Sequence, residues 1–185
     1  MRIASRASRL TLQIALLTAL LATGVFVMVR PYLDDDERLF DQGRINKVIS
    51  KGPVTVGHVD WQLDSLQAYT RLVDNEGEEI SLGAPAGSVI IVAKLTVTPR
   101  AGLYLKDRGF SCAAALRDDR GNMWDSQQAF GFPLPTYCSD DDHPFTMNKP
   151  GTVAQIYVVP KTAVPHLTGV VVGQLEERLR VLITP

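Results

Sequence analysis

The sequence predicts an all-β domain that follows one N-terminal transmembrane helix. An uncharged apolar run at residues 10–29 indicates the helix. From Pro53 onward, short segments rich in β-branched residues alternate with period two and are separated by turn residues, which is typical of strands. The composition, with 45% hydrophobic and 21% charged residues, is that of a folded globular chain.

The charge distribution argues against a nucleic-acid partner. Of the 19 basic residues, four lie within the first 30 positions, where no acidic residue occurs. The rest of the chain therefore carries 15 basic against 20 acidic residues, a net charge of about −5. Phosphate backbones repel such a domain.

The apolar run at residues 10–29 matches a lipid bilayer in length, since twenty helical residues span about 30 Å. Three arginines precede the run, and four consecutive acids at residues 34–37 follow it. The positive-inside rule then places residues 1–9 in the cytoplasm and the remainder outside. We therefore expect a single-pass cell-membrane protein that contacts the bilayer through residues 10–29.

A cleaved signal peptide is the alternative interpretation of this run. Ala22 and Gly24 offer the small residues that a signal peptidase requires. Cleavage there would leave the apolar residues 25–29 at the new N-terminus, which favours a retained anchor. Both interpretations deliver an extracytoplasmic domain.

Residues 30–52 are predicted to form a juxtamembrane stalk, because they are charged with scattered apolar positions. A short amphipathic helix after the acids at 34–36 is the alternative. The folded domain is expected at residues 53–185.

The central predicted strand is residues 88–98. Every second residue from Val89 to Val97 is predicted to face the core, and the intervening residues, which include Ile90 and Val92, are predicted to face outward. In the last strand, Leu179, Val181 and Ile183 are predicted to point inward and Arg178 and Arg180 outward. The other predicted strands are 54–63, 65–71, 79–82, 110–117, 122–126, 153–159 and 167–172. This number of short strands in about 130 residues predicts an immunoglobulin-like antiparallel β-sandwich.

Residues 127–150 contain four prolines and no strand pattern, which predicts a long surface loop. Cys138 lies in this loop, and Cys112 lies in a predicted strand. An extracytoplasmic compartment permits oxidation, so we expect a Cys112–Cys138 disulfide that pins the loop. No Cys-x-x-Cys pair is present, which favours a structural bond.

A copper site is an alternative use of the same loop. Cys138, His143 and Met147 have the ligand types and spacing of blue-copper proteins, with His58 as the upstream histidine. Three carboxylates at 140–142 and the presence of Cys112 argue against it. The same carboxylates suggest calcium, but they lack the ligand spacing of an EF-hand. We therefore expect no cofactor, with a metal or small ligand as the alternative.

Enzyme motifs are absent from the sequence. There is no Gly-x-Ser-x-Gly elbow, no His-Glu-x-x-His helix and no phosphate-binding glycine loop. His58 and His166 are single histidines beside strands, and Trp61 and Trp124 are most simply core residues. The sequence thus predicts a non-catalytic protein.

Four segments in order, residues 54–61, 88–98, 113–121 and 149–160, resemble the immunoglobulin-like (telokin-like) domain of unknown function. That domain occurs in secreted and membrane-anchored proteins of Gram-positive bacteria, actinobacteria in particular. The resemblance implies a β-sandwich with a binding or scaffolding role and supplies no catalytic residues. This chain departs from the pattern in the long loop and at residues 100–109.

These observations predict an interaction or scaffolding protein of the cell envelope with a protein partner. The expected contact residues are Phe130, Phe132, Tyr137 and Phe145. They make the loop at residues 127–150 more apolar than a loop that only connects two strands needs to be. The alternative is that these side chains fold back onto the sandwich.

Overall fold

The computed structural model describes residues 3–33, 45–105, 110–138, 144–174 and 179–185. The N-terminal helix and the β-domain are separate units of the chain, and each is considered by itself. The predictions for residues 34–37, Asp140 to His143 and Arg178 lie outside the described residues.

Helix α1, Ile3–Leu33, contains the predicted apolar run. Its segment Leu12–Arg30 is long and apolar enough to cross a membrane. The hydroxyls of Thr18 and Thr23 donate to main-chain carbonyls four residues earlier, at 2.8 and 2.7 Å. Such bonds satisfy polar groups where no water is available, so the helix suits a membrane anchor or a signal sequence.

The β-domain is a two-sheet sandwich, which confirms the predicted all-β fold behind an apolar helix. Its strands are β1 Lys47–Ser50, β2 Val54–Val56, β3 Val59–Tyr69, β4 Ser88–Pro99, β5 Ala115–Asp118, β6 Met123–Trp124, β7 Gly151–Pro160, β8 Leu167–Gln174 and β9 Leu179–Thr184. One sheet has the order β1-β9-β8-β5-β6, and the other has the order β2-β3-β4-β7. A 3₁₀ helix, Lys161–His166, joins β7 to β8.

The main core lies between the two sheets. Fully buried side chains from both sheets meet there, including Leu95 and Val97 of β4 and Ile183 of β9. Tyr157 of β7 is also fully buried, and its hydroxyl donates to the Ala114 carbonyl at 2.8 Å. Burial raises the pKa of Tyr157, so this hydroxyl remains a donor at any physiological pH.

Strand β1 corrects the predicted stalk. Residues Lys47–Ser50 were expected to lie in the stalk at 30–52, but they pair in parallel with residues 181–184 of β9. The chain then changes sheet, because Val54–Val56 pairs with β3. The β-domain therefore begins before Pro53, and β1 makes the sandwich mixed rather than purely antiparallel.

Other strand predictions also change. The predicted strand at 54–63 is a hairpin, with Gly57 and His58 at the turn between β2 and β3. A bulge at Asp64 joins its second half to the predicted strand at 65–71. Residues 79–82 form only one isolated bridge, Val73 with Glu79. The predicted strands at 110–117 and 122–126 shorten to β5 and β6, whereas those at 88–98, 153–159 and 167–172 are confirmed.

Arg180 was predicted to face solvent, and this is wrong. Its side chain is buried, with Nη2 3.8 Å from the Sδ atom of Met123. Its main-chain N–H donates to the side-chain oxygen of Asn46 at 2.7 Å. Leu182, the next residue on the same face of β9, is buried as well, so this face is covered along the middle of the strand.

The structure joins Cys112 and Cys138 in a disulfide with 26 residues of sequence separation and a Cα–Cα distance of 5.6 Å. The Phe110 N–H donates to the Cys138 carbonyl at 2.9 Å beside it. Both cysteines are buried in the main core. The bond thus fixes the end of the segment at 127–138 to the sandwich.

Replacement of both cysteines, Cys112→Ala with Cys138→Ala, is expected to lower the free energy of unfolding by about 3–4 kcal/mol, because the unfolded chain loses a cross-link over a loop of this size. Urea unfolding of the oxidised protein and the double variant measures the difference. Equal stability of the two proteins would contradict a structural disulfide.

The turn between β5 and β6 is organised by one buried carboxylate. Asp118 is 2% exposed, and it accepts hydrogen bonds from the N–H groups of Arg120 and Asn122 and from the Asn122 side-chain amide, at 2.8 to 3.0 Å. Burial acts to raise its pKa, but these hydrogen bonds and the positive charge of Arg120 outweigh burial, so the pKa of Asp118 is lowered.

Acid should therefore destabilise the β-domain. Because the folded-state pKa of Asp118 lies below the unfolded value of about 3.9, its stabilisation is complete above that value and is lost as the pH falls through the folded pKa. Asp118→Asn should cost about 1–3 kcal/mol at pH 7, since the amide cannot accept all three bonds, and should flatten the acid dependence. Urea unfolding between pH 7 and pH 2 tests both effects, and an identical pH dependence of the two proteins would refute the assignment.

Candidate functional site

The first half of the long loop covers the edge of a sheet. Strand β7 is the last strand of its sheet, and its outer side would otherwise present free main-chain groups. The Gln127 N–H donates to the Ile156 carbonyl at 2.7 Å, and the Ala154 N–H donates to the Pro135 carbonyl at 2.9 Å. We call residues 127–138 the covering loop.

A buried glutamine ties the covering loop to the main core. Gln155 of β7 is 1% exposed, and its Nε2 atom lies 3.3 Å from the Thr136 carbonyl and 3.5 Å from the Cys112 carbonyl. A buried amide that lost these acceptors would be left unsatisfied, which is costly. The loop is therefore fastened from inside the sandwich as well as along its edge.

The covering loop also closes a second apolar cluster on the outer face of β4 and β7. This outer cluster consists of Leu72, Ile90, Val92, Ala129, Ala154 and Ile156. Half-buried side chains complete it, namely Ile80, Leu82, Phe132 and Leu134. Ile90 and Val92 were predicted to face solvent, and this is wrong because residues 72–82 and the covering loop lie over them.

The covering loop presents one aromatic side chain to solvent at a tight turn. The Phe132 N–H donates to the Ala129 carbonyl at 3.3 Å, which closes a turn with Phe130 and Gly131 at its centre. Gly131 has φ of 81°, a value that the third position of a type II turn requires and that glycine adopts without strain. Phe130 is 80% exposed at this position. We call residues 130 and 131 the tip.

The four predicted contact residues have different environments. Phe130 is exposed, and Tyr137 is 38% exposed. Phe132 is half-buried against the outer cluster. Phe145 is buried in the main core, where its ring meets Phe110 edge to face with the centroids 5.6 Å apart. The prediction of a partner contact at Phe145 is therefore wrong.

Gly151 is the reason that Phe145 can pack inward. A Cβ atom at this position would lie 2.4 Å from Cε1 of the Phe145 ring, so only glycine leaves room for it. The sequence alone does not reveal this pairing, because a lone glycine at a strand start has several explanations.

An apolar cavity of about 410 Å³ lies between the two halves of the long loop. Four prolines, Pro133, Pro135, Pro144 and Pro150, line it together with Phe145. Lys149 is the one charged residue among the described residues of its wall.

The predicted copper ligands do not form a copper site. Cys138 is in a disulfide, so the set lacks its thiolate, and this alternative is wrong. His58 lies in the β2–β3 turn, where its ring contacts Gly102 and its carbonyl accepts a hydrogen bond from the Arg100 N–H at 2.7 Å. Met147 is in a turn, and His143 lies outside the described residues. Within the described part of the chain, no group of three or more His, Cys, Asp or Glu residues is placed to hold a metal.

One Asp–His pair exists that the sequence did not indicate. His166 Nδ1 lies 3.1 Å from a carboxylate oxygen of Asp119, and Arg120 Nη2 lies 2.6 Å from the His166 Nε2 atom. Both ring nitrogens are therefore engaged, and Arg120 occupies the nitrogen that a general base would offer to a substrate. The cluster holds the β5–β6 turn against the 3₁₀ helix. Sequence reasoning missed it because His166 lies 46 and 47 residues after Arg120 and Asp119.

Comparisons with known proteins add little to this description. No protein-family model matches the chain, and no curated protein matches it. Among solved structures, the chain is similar to an uncharacterized β-sandwich protein from Clostridium difficile, with 10% sequence identity and a TM-score of 0.42 over 76% of this chain and 94% of the other. The β-sandwich assignment rests on the strand pairing described above.

Alanine substitutions should separate the exposed ring from the buried one. Phe145→Ala is expected to lower the free energy of unfolding by about 3–5 kcal/mol, because it empties space in the main core. Phe130→Ala should change it by less than about 0.5 kcal/mol, because the ring is 80% exposed. Urea unfolding measures both values, and a large loss for Phe130→Ala would assign that ring to packing.

Proposed function

We propose that this protein is a membrane-anchored, non-catalytic interaction protein of the cell envelope that binds a protein partner through the tip of its covering loop. The observation that carries the proposal is the presence of an 80% exposed phenylalanine, Phe130, on a loop that is fixed to the sandwich on both sides. Such a ring is an apolar anchor in a fixed position that a partner can bury.

The energetic argument has two parts. Burial of a phenylalanine side chain against a partner is worth about 1.5–3 kcal/mol, and large aromatic residues often act as anchors of interfaces. Binding also costs conformational entropy when a flexible loop must become ordered. The edge hydrogen bonds of Gln127 and Pro135 and the disulfide at Cys138 have already ordered this loop. Binding therefore gains the free energy of burying the Phe130 ring, and the loop loses little further conformational entropy.

The proposed location follows from the N-terminal unit and the cysteines. The arginines before helix α1 and the acids after it favour a cytoplasmic N-terminus at residues 1–9 and a domain outside the membrane. A buried disulfide suits an oxidising compartment. We accordingly assign the bilayer contact to residues 10–29 as a retained anchor.

We also propose the immunoglobulin-like (telokin-like) class for the β-domain. The strand order β9-β8-β5-β6 corresponds to the G-F-C-C′ order of an immunoglobulin sheet. The first strand, β1, adds to the outer side of the last strand, β9. Binding and scaffolding roles are common for such sandwiches, although the fold alone does not determine a function.

One observation favours a second function, the binding of a small ligand. The cavity of about 410 Å³ has a size typical of small-molecule sites, and its lining of prolines with Lys149 would suit an apolar molecule that carries an acid group. This candidate predicts no dependence on Phe130, which is not part of the cavity wall.

Crosslinking in intact cells tests the proposed function. Full-length protein with Phe130→Ala should recover at least about tenfold less of a specific partner than the unaltered chain, since loss of an interface anchor costs about 2 kcal/mol or more. Tyr104→Ala is the matched control, because Tyr104 is an 82% exposed aromatic residue outside the loop, and this variant should retain the partner. Equal recovery with all three proteins, or recovery of no partner, would contradict the proposal. The binding of a small ligand in the cavity would then be the function to test.

A further inference from the structure

The tip has a specific neighbour on the surface of the domain. A Cβ atom built on Gly131 would lie 3.5 Å from the Cβ atom of Asp74, which is ordinary van der Waals contact. Asp74 begins the turn at residues 74–79, with the sequence Asp-Asn-Glu-Gly-Glu-Glu. We call this segment the acidic turn. A partner that buries the ring of Phe130 therefore also reaches the acidic turn.

The acidic turn is ordered by its own first residue. Oδ1 of Asp74 accepts hydrogen bonds from the N–H groups of Glu76 and Glu78 at 2.8 and 2.9 Å. The Asp74 N–H donates in turn to the Glu78 carbonyl at 2.9 Å, and the Val73–Glu79 bridge closes the segment. The carboxylate of Asp74 is thus used within the turn.

Three other carboxylates remain on the surface. Glu76, Glu78 and Glu79 are exposed, and among the residues that the structure describes they form no ion pair. Arg71 is the one basic residue between positions 71 and 82. Residues 71–82 therefore bring four acidic residues against one basic residue to the surface beside the tip.

The tip and the acidic turn share one apolar base. Leu72 lies in the outer cluster with Ala129 of the covering loop, and Ile80 and Leu82 pack against the same cluster from the other side of the turn. Val73 is 40% exposed beside them. The surface thus combines an exposed ring, flanking aliphatic side chains and uncompensated carboxylates on a single fixed support.

Charge complementarity selects among the possible occupants of this surface. An anionic phospholipid surface would be repelled by the three carboxylates. A second copy in a twofold interface would bring the same acidic face against itself. A protein segment that carries Lys or Arg beside apolar side chains matches both the charge and the ring, because opposite potentials across an interface favour association.

We propose that the partner presents a positively charged, apolar segment that lies across Phe130 and the acidic turn. This inference rests on the proposed function and adds the chemistry of the partner. It assigns Phe130 as the apolar anchor and Glu76, Glu78 and Glu79 as the charges that select the partner.

The test uses the full-length chain in intact cells with the photoreactive residue p-benzoylphenylalanine at position 130. Mass spectrometry of the crosslinked product identifies the partner segment, which should have a net positive charge and apolar side chains. The triple variant Glu76→Gln, Glu78→Gln and Glu79→Gln should lower the crosslink yield about tenfold, equivalent to about 1.4 kcal/mol. Asp125→Asn, which removes an exposed acid elsewhere, is the control and should leave the yield unchanged.

A synthetic copy of the recovered segment then provides a direct measurement. Its affinity for the full-length protein in nanodiscs of neutral phosphatidylcholine should fall about tenfold between 50 and 500 mM salt, because screening weakens exposed charge pairs. The triple variant should lose this salt dependence, while its thermal unfolding stays that of the unaltered protein.

The outcomes separate this inference from the proposed function. A crosslink to phospholipid, to a second copy of this chain, or to a neutral or acidic segment overturns the inference, as does an unchanged yield with the triple variant. The proposed function survives a neutral or acidic protein segment and an unchanged yield, because a protein partner has still been captured at the tip. If position 130 captures nothing, the proposed function fails and the inference fails with it.

Discussion

Strand β4 carries apolar side chains on both of its faces, and each face requires its own cover. The inner face, with Leu95 and Val97, is covered by the opposite sheet. The outer face, with Ile90 and Val92, is covered by two irregular segments, residues 72–82 and the covering loop. The outer face of β4 at Ile90 and Val92 therefore stays buried only while these two segments remain in place.

The covering loop is held in three physically different ways. Main-chain hydrogen bonds to Ile156 and Ala154 fill the edge of β7, the disulfide fixes its last residue, and the amide of Gln155 binds it from within. Each contact has a structural purpose of its own. Together they make a rigid support, and on a rigid support the turn at Phe130 is an ordered projection. The proposed interaction site is therefore a consequence of the way in which the sheet is covered.

The reactive side chains of the described domain are largely engaged in structure. Asp118 holds a turn, His166 lies between Asp119 and Arg120, and Cys138 is oxidised. These groups are placed by contacts that hold elements together, whereas the exposed ring of Phe130 and the carboxylates of Glu76, Glu78 and Glu79 make no such contact among the described residues. This contrast is why we propose recognition by a surface rather than chemistry in a cleft.

The sequence by itself determined the features that depend on local pattern. An uncharged run specified helix α1, and alternation specified β4, β7 and β8, because side-chain period reflects the neighbours along one element. The predicted extracytoplasmic compartment and the pair of cysteines indicated the Cys112–Cys138 disulfide. Tertiary structure alone decided the pairing of β1 with β9, the burial of Arg180 and the difference between Phe130 and Phe145. Those features depend on which distant segment packs against each residue, and a local pattern does not contain that information. Phe130 and Phe145 lie in the same predicted loop and cannot be told apart in sequence. In the structure, Gly151 leaves room for the Phe145 ring in the core, whereas the turn at Gly131 places the Phe130 ring in solvent.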